Sequence, residues 1–175
     1  FNVHNQIYEA QVKNPEQVCI SFPIKASASE KTIDGTQLFV IHTGTEHVVT
    51  IIDQEKMEDE KLLYQKGQEL RNHPDFTPKG TNANFICGID NESLQLQTYE
   101  RGVEDLTLAC GTGAIASALI WHHVHDTHPT DNRFTVETKG GTLTVYFSFD
   151  PKTKKYNNIK LEGPSHFVFE GTYQL

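Results

Sequence analysis

The segment Gly113–Trp121 constrains the fold of this chain more than any other, because it is apolar on nearly every side of a helix. Small residues alternate in it with large ones, such as Ile115 and Leu119. A helix at a protein surface carries one apolar stripe, whereas a helix that is apolar all round is buried on every side. The sequence therefore predicts a helix buried at the centre of the fold.

Strand patterns dominate the rest of the chain, where short β-branched and apolar runs are separated by turn residues. The predicted strands are Ile7–Val12, Gln17–Phe22, Gln37–His42, His47–Ile52, Asn82–Ile89, Leu94–Glu100, Phe134–Thr138, Leu143–Phe149, Tyr156–Leu161 and Phe167–Phe169. A second helix is predicted from Gln54 to Arg71, with Asp53 as its N-cap. The segment Lys25–Gly35 has no apolar periodicity, which predicts an exposed loop and a hinge between two lobes.

The composition excludes several classes of function. A chain of 175 residues, 37% hydrophobic, can bury one core of good size or two small lobes. Its net charge of -8 and its scattered basic residues argue against a nucleic-acid partner, because phosphate binding needs clustered Lys and Arg. No apolar run approaches the roughly 20 residues that cross a bilayer, so we expect no membrane partner, a cytoplasmic location and a small-molecule ligand.

The three cysteines indicate reduced thiols. Cys19, Cys87 and Cys110 are odd in number and have no CxxC spacing, which argues against a disulfide framework and a zinc ribbon. Cys19 and Cys87 lie within predicted strands, so we interpret both as packing residues. The chain also begins with Phe1, from which we expect that it was cut from a longer protein.

Cys110 lies directly before the buried helix, in the run Ala109-Cys110-Gly111-Thr112-Gly113-Ala114. The unpaired N–H groups and positive dipole of a helix start favour a thiolate there, with a lowered pKa, and attract a substrate carboxylate. The flanking glycines let a ligand approach the backbone, and Thr112 adds a hydroxyl donor. The alternative is a buried cysteine that packs beside a tight turn.

A group of histidines at the end of the same helix has spacings that could hold a metal. The group consists of His122, His123, His125 and His128. We favour a simpler interpretation, in which these are partly exposed histidines placed favourably at a helix C-terminus. No metal site is assigned.

Several motifs, in a fixed order, carry a resemblance to a known family. They are Thr43-Gly44 with His47-Val48-Val49, Gly80-Thr81-Asn82-Ala83-Asn84-Phe85, Tyr99-Glu100-Arg101-Gly102 followed after seven residues by Cys110-Gly111-Thr112-Gly113-Ala114, Lys139-Gly140-Gly141, and Gly163-Pro164 with Phe169-Glu170-Gly171. With these motifs the chain resembles diaminopimelate epimerase, a cofactor-independent racemase that uses two cysteines. The agreement runs from about Gln37 to Gly171.

The resemblance implies a mixed α/β (α+β) fold with two similar lobes, each a mostly antiparallel sheet wrapped around a central buried helix. This chain resembles one lobe. Residues 1–24 would then be the end of the N-terminal lobe and the crossover, and 25–36 the linker. Residues 37–171 would form the C-terminal catalytic lobe, and 172–175 a tail that returns toward the missing lobe. The implied partners are that N-terminal lobe and a second copy of the enzyme in a homodimer.

The chemistry of the family explains why one lobe is insufficient. Inversion of an α-carbon removes a proton from one face and delivers another to the opposite face, so two side chains are needed. The family's other cysteine lies in a Cys-Gly-Asn-Gly run, which this sequence lacks. We therefore expect little or no epimerase activity from the chain alone, and no cofactor.

By resemblance, Cys110, His47 and Glu100 are expected to be catalytic. Cys110 would transfer the proton, while His47 and Glu100 would adjust the protonation of the thiols and hold the substrate ammonium. The alternative for His47 is a hydrogen-bonded histidine at a strand start with no such role.

The expected substrate-binding residues are Asn82, Glu100, Arg101, Gly111 and Thr112. Arg101 and Asn82 would bind the distal end of the substrate, where a guanidinium gives a carboxylate two parallel hydrogen bonds. The alternative for Arg101 is a surface ion pair with Glu100 or Glu104. The chain departs from the family at Glu46, where the family often has Pro, and at Thr45, where some members have Asn, and these departures bear on the shape of the distal pocket.

The resulting hypothesis is the C-terminal half of an enzyme that interconverts LL- and meso-2,6-diaminopimelate, on the route to lysine and peptidoglycan. Two alternatives stay open. One is a racemase for another amino acid, such as proline or histidine, and the other is a binding module without catalytic activity.

Overall fold

The computed structural model describes residues 1–3, 5–125 and 131–173. The helices are α1 (Gln54–Met57), α2 (Glu60–Arg71) and α3 (Gly111–His125), with a 3-10 turn at Pro74–Phe76. The strands are β1 (Asn2–Val3), β2 (Gln6–Ile7), β3 (Glu9–Asn14), β4 (Gln17–Phe22), β5 (Ser29–Ile33), β6 (Thr36–His42), β7 (Glu46–Ile51), β8 (Asn82–Gly88), β9 (Ser93–Glu100), β10 (Asp105–Thr107), β11 (Asp131–Thr138), β12 (Gly141–Asp150) and β13 (Lys155–Pro164).

One large sheet forms the frame of the described chain. Its strand order is β3-β4-β13-β12-β11-β9-β8-β7-β6-β5, and β10 pairs with β9 beside this path. The pairs β7–β8 and β9–β11 are parallel, while the other neighbours in the sheet are antiparallel. The strands β1 and β2 form a separate small hairpin. A mostly antiparallel sheet is thus confirmed.

Helix α3 lies inside this sheet, which curves around it. The helix contacts strands from both halves of the sheet, β6 to β9 on one side and β11 to β13 on the other. Ala114, Ile115, Ala118 and Leu119 have no exposed surface and pack in one core with Val136 and Val145 of the sheet, among others. The predicted central buried helix and the mixed α+β fold class are confirmed.

A second, smaller core lies on the other face of the sheet, under α2. Leu63 of α2 is buried there beside Phe85 and Tyr99. A Cβ atom at Gly67 would lie 2.4 Å from the Cβ of Tyr99, so the helix approaches β9 closely only because this position is glycine. The two cores hold β8 and β9 from both sides.

The prediction of one continuous helix from Gln54 to Arg71 is wrong, because two helices, α1 and α2, span this segment. Asp53 does cap the first helix, since its carboxylate accepts from the N–H of Lys56 at 2.9 Å. A second cap follows at Asp59, whose carboxylate accepts from the N–H of Leu62 at 3.0 Å. The chain therefore breaks after α1 and starts α2 anew, because Asp59 satisfies a helix start better than a helix interior.

The predicted loop at Lys25–Gly35 is also wrong, since it contains strand β5. This strand forms a hairpin with β6, in which Ser29 pairs with Val40 and Ile33 with Thr36. Asp34 and Gly35 make the turn with φ of 48° and 77°. An Asp-Gly pair is a strong signal for such a two-residue turn. The division of the chain between lobes at residues 25–36 stays a prediction.

The predicted strand Phe167–Phe169 does not form. No strand pairs with this segment in the described part of the chain, and a strand needs a hydrogen-bonded neighbour to persist. Phe167, Val168 and Phe169 are each more than 80% exposed. The last two residues, 174 and 175, lie outside the described residues, so the predicted tail at 172–175 is described only in part.

The histidine group at the end of α3 is not uniformly exposed as expected. His122 is 1% exposed, because its ring lies among Phe134, Phe147 and Tyr156, and its Nδ1 lies 3.1 Å from the Tyr156 hydroxyl. His123 and His125 are at least partly exposed, and His128 lies outside the described residues. Among the described residues, no three His, Cys, Asp or Glu side chains are grouped as a metal site requires.

Membrane insertion through a helix finds no support in the part of the chain that the structure describes. None of its helices combines the length and the apolar character needed to span a bilayer.

Candidate active site

Cys110 lies immediately before the first residue of α3, as predicted. The Cys110 carbonyl accepts the N–H of Ala114 at 2.8 Å, which starts the helical hydrogen bonds. The N–H groups of Gly111 and Thr112 belong to the first turn, where a helix offers no internal acceptor. The Thr112 hydroxyl lies 3.7 Å from Cys110 Sγ. The start of the helix thus carries a thiol, a hydroxyl and first-turn N–H donors close together.

The expected lowering of the Cys110 pKa is wrong for this structure. The residue is 7% exposed, and burial raises the pKa of its thiol above the ordinary value. The charge of Glu100 raises the pKa further, while hydrogen bonds from Thr112 and from the Gly113 backbone lower it. Burial outweighs these hydrogen bonds because the loss of hydration destabilises the thiolate more than the two hydrogen bonds stabilise it.

Cys19 and Cys87 are packing residues, as expected. They are 7% and 8% exposed, and burial raises the pKa of each thiol. Neither lies at a helix start, since Cys19 is in β4 and Cys87 is in β8.

His47 lies on β7 with no exposed surface and connects to Cys110 through Thr112. Its Nε2 atom is 3.0 Å from the Thr112 hydroxyl and 3.0 Å from the Thr45 hydroxyl. Burial lowers the pKa of His47 to about 3, and the charges of His42 and Arg101 act in the same direction. The imidazole is therefore neutral at physiological pH.

Asn84 holds the other nitrogen of the His47 ring. Its Nδ2 atom lies 3.0 Å from His47 Nδ1 and 2.9 Å from the carbonyl oxygen of Val48. The Thr98 hydroxyl donates to Asn84 Oδ1 at 2.9 Å. All these groups are buried, and the parallel pairing of β7 with β8 places them side by side.

Gly113 allows α3 to start against this network. A Cβ atom at position 113 would lie 2.7 Å from Asn84 Oδ1 and 3.1 Å from Thr98 Oγ1. These distances are too short for a side chain of any size, so the close approach of helix and sheet requires glycine here.

Arg101 pairs with Glu46, a partner that the sequence did not indicate. Its Nη1 atom lies 3.2 Å from the carboxylate of Glu46 and 3.3 Å from the carbonyl oxygens of Lys79 and Gly80. The alternative pair with Glu104 does not form, because Glu104 binds Arg71 at 3.0 Å. No ion pair with Glu100 is present among the described residues either.

The side chain of Asn82 binds the backbone N–H of Arg101. Its Oδ1 accepts the N–H of Arg101 at 2.9 Å, and its Nδ2 donates to the Thr45 hydroxyl and to the Glu46 carbonyl, each at 3.0 Å. Asn82 is 5% exposed. Its amide is therefore engaged in holding the end of β9 against the start of β7.

The predicted site residues form two neighbouring groups. The first, at the start of α3, contains Cys110, Gly111, Thr112 and His47, and the charge of Glu100 reaches its thiol. The second contains Asn82 and Arg101 at the end of β9. Thr45 joins the two groups, since its hydroxyl contacts both His47 and Asn82.

Sequence reasoning missed the roles of Glu46, Thr45, Asn84 and Thr98 in this network. Alternation along the strand could have indicated Asn84, because residues 82 and 84 of β8 point to the same face. The pairing of Glu46 with Arg101 has no such local signal, because the two residues are far apart in sequence.

Comparisons with solved structures show which proteins share this fold. A probable proline racemase from Agrobacterium radiobacter K84 matches with a TM-score of 0.64 and 16% identity, over 96% of this chain and 57% of that one. A hydroxyproline epimerase from Agrobacterium vitis matches with a TM-score of 0.63 and 13% identity, over 89% and 52%. The chain thus has the fold of this class of epimerases and racemases.

Sequence comparisons identify the family within that class. The family model for diaminopimelate epimerase matches residues 39–162. The diaminopimelate epimerase of Aquifex aeolicus is 37% identical over 160 residues, which cover 89% of this chain and 53% of the relative. That of Flavobacterium psychrophilum is 34% identical over 168 residues, covering 96% and 57%. The chain belongs to the diaminopimelate epimerase family, and it spans about half the length of these relatives.

Proposed function

We propose that this chain is the lobe of a diaminopimelate epimerase that carries one of its two acid–base thiols. The observation that carries the proposal is the position of Cys110, directly before α3 and beside the Thr112 hydroxyl, in a chain of this family. The substrate is LL-2,6-diaminopimelate and the product its meso form, in the biosynthesis of lysine and peptidoglycan.

The reaction consists of two proton transfers on opposite faces of one carbon. A thiolate accepts the proton of the α-carbon and becomes a thiol, and the electron pair left on the carbon is delocalised into the adjacent carboxylate. A thiol on the opposite face then gives its proton to the carbon, which inverts the configuration. Cys110 acts on one face. By resemblance to the family, no cofactor takes part.

The helix start supplies the stabilisation that this carbanion needs. The substrate carboxylate accepts hydrogen bonds from the N–H groups of Gly111 and Thr112, where the helix dipole also favours negative charge. The Glu100 carboxylate, which already acts on the Cys110 thiol, receives the substrate ammonium. A closed site strengthens each of these interactions.

The other predicted residues act at the distal end of the substrate or through a neighbour. Arg101 binds the distal carboxylate with guanidinium nitrogens other than Nη1, which faces Glu46, Lys79 and Gly80. Asn82 positions Arg101 through its backbone N–H, and His47 positions the Thr112 hydroxyl. His47 is thus a positioning residue, because its ring is buried and reaches the thiol only through Thr112.

The second thiol comes from the N-terminal lobe of the same enzyme, and a homodimer is the expected assembly. The test follows deuterium incorporation at the α-carbon of diaminopimelate in heavy water. We expect exchange when this chain is combined with the N-terminal half of the Aquifex aeolicus relative, with the associated species isolated by gel filtration. We expect little or none with either half alone.

Two outcomes contradict the proposal. One is an associated complex of the two halves that is folded but exchanges no deuterium. The other is inversion of diaminopimelate by the isolated chain at a rate comparable to that of the complex, since inversion needs a base on each face of the carbon and would mean that one lobe carries both.

One observation favours a racemase for another amino acid as a second candidate. Glu46 already occupies Arg101, which weakens the site for a distal carboxylate. Incubation of the same complex with diaminopimelate, proline and histidine, followed by optical rotation, separates the candidates. Inversion of proline or histidine but not of diaminopimelate supports the second candidate.

Another observation favours a binding module without catalysis. Burial raises the pKa of Cys110 as it does for Cys19 and Cys87, which is the behaviour of thiols that only pack. Alkylation with iodoacetamide, read by mass spectrometry, compares the three in one sample. An epimerase lobe reacts first at Cys110, whereas a binding module shows no preference among the three.

A further inference from the structure

The buried hydrogen bonds around Asn84 are compatible with only one orientation of its side-chain amide. The carbonyl of Val48 can only accept, so the Asn84 atom that lies 2.9 Å from it is the amide nitrogen. The Thr98 hydroxyl donates to the amide oxygen on the other side. The orientation of the Asn84 amide is therefore fixed by its two neighbours.

This orientation fixes the tautomer of His47. The amide nitrogen of Asn84 also lies 3.0 Å from His47 Nδ1, and an amide nitrogen donates but does not accept. Nδ1 consequently carries a lone pair. Because the buried ring is neutral, its hydrogen is on Nε2.

The tautomer in turn determines what the Thr112 hydroxyl can do. His47 Nε2 lies 3.0 Å from Thr112 Oγ1 and, as a donor, cannot accept the hydroxyl hydrogen. That hydrogen is thus available for Cys110 Sγ, 3.7 Å away, within the distance of a hydrogen bond to sulfur. Thr45 lies at the same distance from Nε2 but makes no hydrogen bond to a sulfur atom of the described residues, so it serves as a comparison.

We propose that Asn84, oriented by Thr98, is a positioning residue that holds His47 as the Nε2–H tautomer, so that Thr112 donates its hydroxyl hydrogen to Cys110 Sγ. The inference rests on the proposed function, in which Cys110 has to exist as a thiolate during the reaction. It extends that function by giving the thiolate a fixed donor inside the lobe, which partly offsets the effect of burial.

Other charged groups also face this network and are the same in every variant below. Glu100 acts on Cys110, while His42, Glu46 and Arg101 act on His47. Comparisons between variants that differ only at Thr112 or Thr45 therefore isolate the hydrogen bonds, whereas Asn84→Asp also adds an ionisable group beside His47.

The first test observes the His47 ring in the wild-type chain. Long-range ¹H–¹⁵N correlation spectra distinguish a protonated from an unprotonated ring nitrogen. We expect Nε2 protonated and Nδ1 unprotonated, without titration between pH 8 and pH 5. A ring with hydrogen on Nδ1 would overturn the proposal.

The same spectra of the Asn84→Asp variant test the role of the Asn84 amide. The carboxylate of this variant accepts a hydrogen bond where the amide nitrogen donates one, so we expect Nδ1 to become protonated. An unprotonated Nδ1 in the folded variant counts against the proposal.

The second test measures the thiol through its alkylation rate with iodoacetamide. Loss of one hydrogen bond to a thiolate raises its pKa by about one unit. Thr112→Val should therefore lower the rate at Cys110 roughly tenfold at about pH 8, relative to Cys19 and Cys87 in the same sample. Thr112→Ser, which keeps the hydroxyl, should restore the rate, and Thr45→Val should leave it unchanged.

Equal rates for Thr112→Val and wild type overturn the proposal, as does an equal loss in Thr45→Val. If Asn84→Asp does not fold, the wild-type spectrum still tests the tautomer of His47, and the comparison of Thr112→Val with Thr112→Ser still tests the hydrogen bond to Cys110. Both measurements are made without substrate. A negative result here concerns the hydrogen bonds inside the lobe, whereas failure of deuterium exchange concerns the epimerase activity.

Discussion

Arg101 Nη1 lies 3.2 Å from Glu46 Oε2, so the guanidinium at the end of β9 already has a carboxylate partner. Glu46 also lies 3.3 Å from Lys79 Nζ, and hydrogen bonds and the charges of both cations keep the pKa of Glu46 below its ordinary value against the effect of burial. One carboxylate therefore stands between two cations. A distal substrate carboxylate has to share this cluster with Glu46.

Replacement of Glu46 by Gln should strengthen the binding of a substrate with a distal carboxylate. The change removes the competing negative charge from Arg101 but keeps a side chain of similar size. Because partly exposed ion pairs contribute about 0.2–1 kcal/mol, we expect KM for diaminopimelate in the assembled complex to fall by up to about fivefold. Glu104→Gln, whose partner is Arg71, is the matched control and should leave KM unchanged. A higher KM in Glu46→Gln would mean that Glu46 holds Arg101 in its binding position.

The buried imidazole of His47 should make the stability of the fold depend on pH. Burial lowers the pKa of His47 from 6.5 to about 3. Between these values the unfolded chain binds one proton more than the folded one, so acid favours unfolding. The free energy of unfolding should fall by up to about 1.4 kcal/mol per unit as the pH decreases through this window.

Urea unfolding at a series of pH values measures this effect, with His47→Gln as the control. The contribution of His47 is complete above pH 6.5, so the variant and the wild type should show the same slope there. Below that pH the slope of the variant should be shallower by about one proton. Identical slopes in both proteins would show that the ring is not held neutral in the folded state.

Substitution of Gly113 by Ala adds only one methyl group but should lower the stability of the fold. The new Cβ would lie 2.7 Å from Asn84 Oδ1, so either α3 or the Asn84 side chain has to move. We expect a loss of stability of about 1–3 kcal/mol, as for other overpacked sites. Gly171→Ala, with no atom within 4 Å of its added Cβ, is the control and should be neutral. Thermal unfolding of the two variants, which should differ clearly in Tm, checks this prediction.

The sequence was sufficient for features that depend on local patterns. The buried helix followed from the absence of a polar face between Gly113 and Trp121, and the position of Cys110 followed from the same boundary. The strand β4 matches its prediction at both ends, Gln17 and Phe22. The family motifs then predicted site residues, which the structure brings into two neighbouring groups.

Features that depend on neighbours distant in sequence were not predictable in the same way. The segment Phe167–Phe169 has the composition of a strand, but no neighbour pairs with it in the described chain. The pairing of Glu46 with Arg101 requires β7 and β9 to lie on either side of β8, which no local pattern specifies. The raised pKa of Cys110 likewise depends on how completely the sheet encloses the start of α3, which a helix-dipole argument does not include.

The most direct measurement of the central claim is the rate at which the two-lobe complex with Cys110 replaced by Ala inverts LL-diaminopimelate to the meso form. Loss of an acid–base group lowers a proton transfer by about 10²-fold or more, and inversion needs a group on each face, so we predict at least that loss. Cys87→Ala, which removes a buried thiol of similar exposure away from the helix start, should retain inversion. If Cys110→Ala inverts the substrate as fast as Cys87→Ala, Cys110 is not an acid–base thiol and the central claim is contradicted.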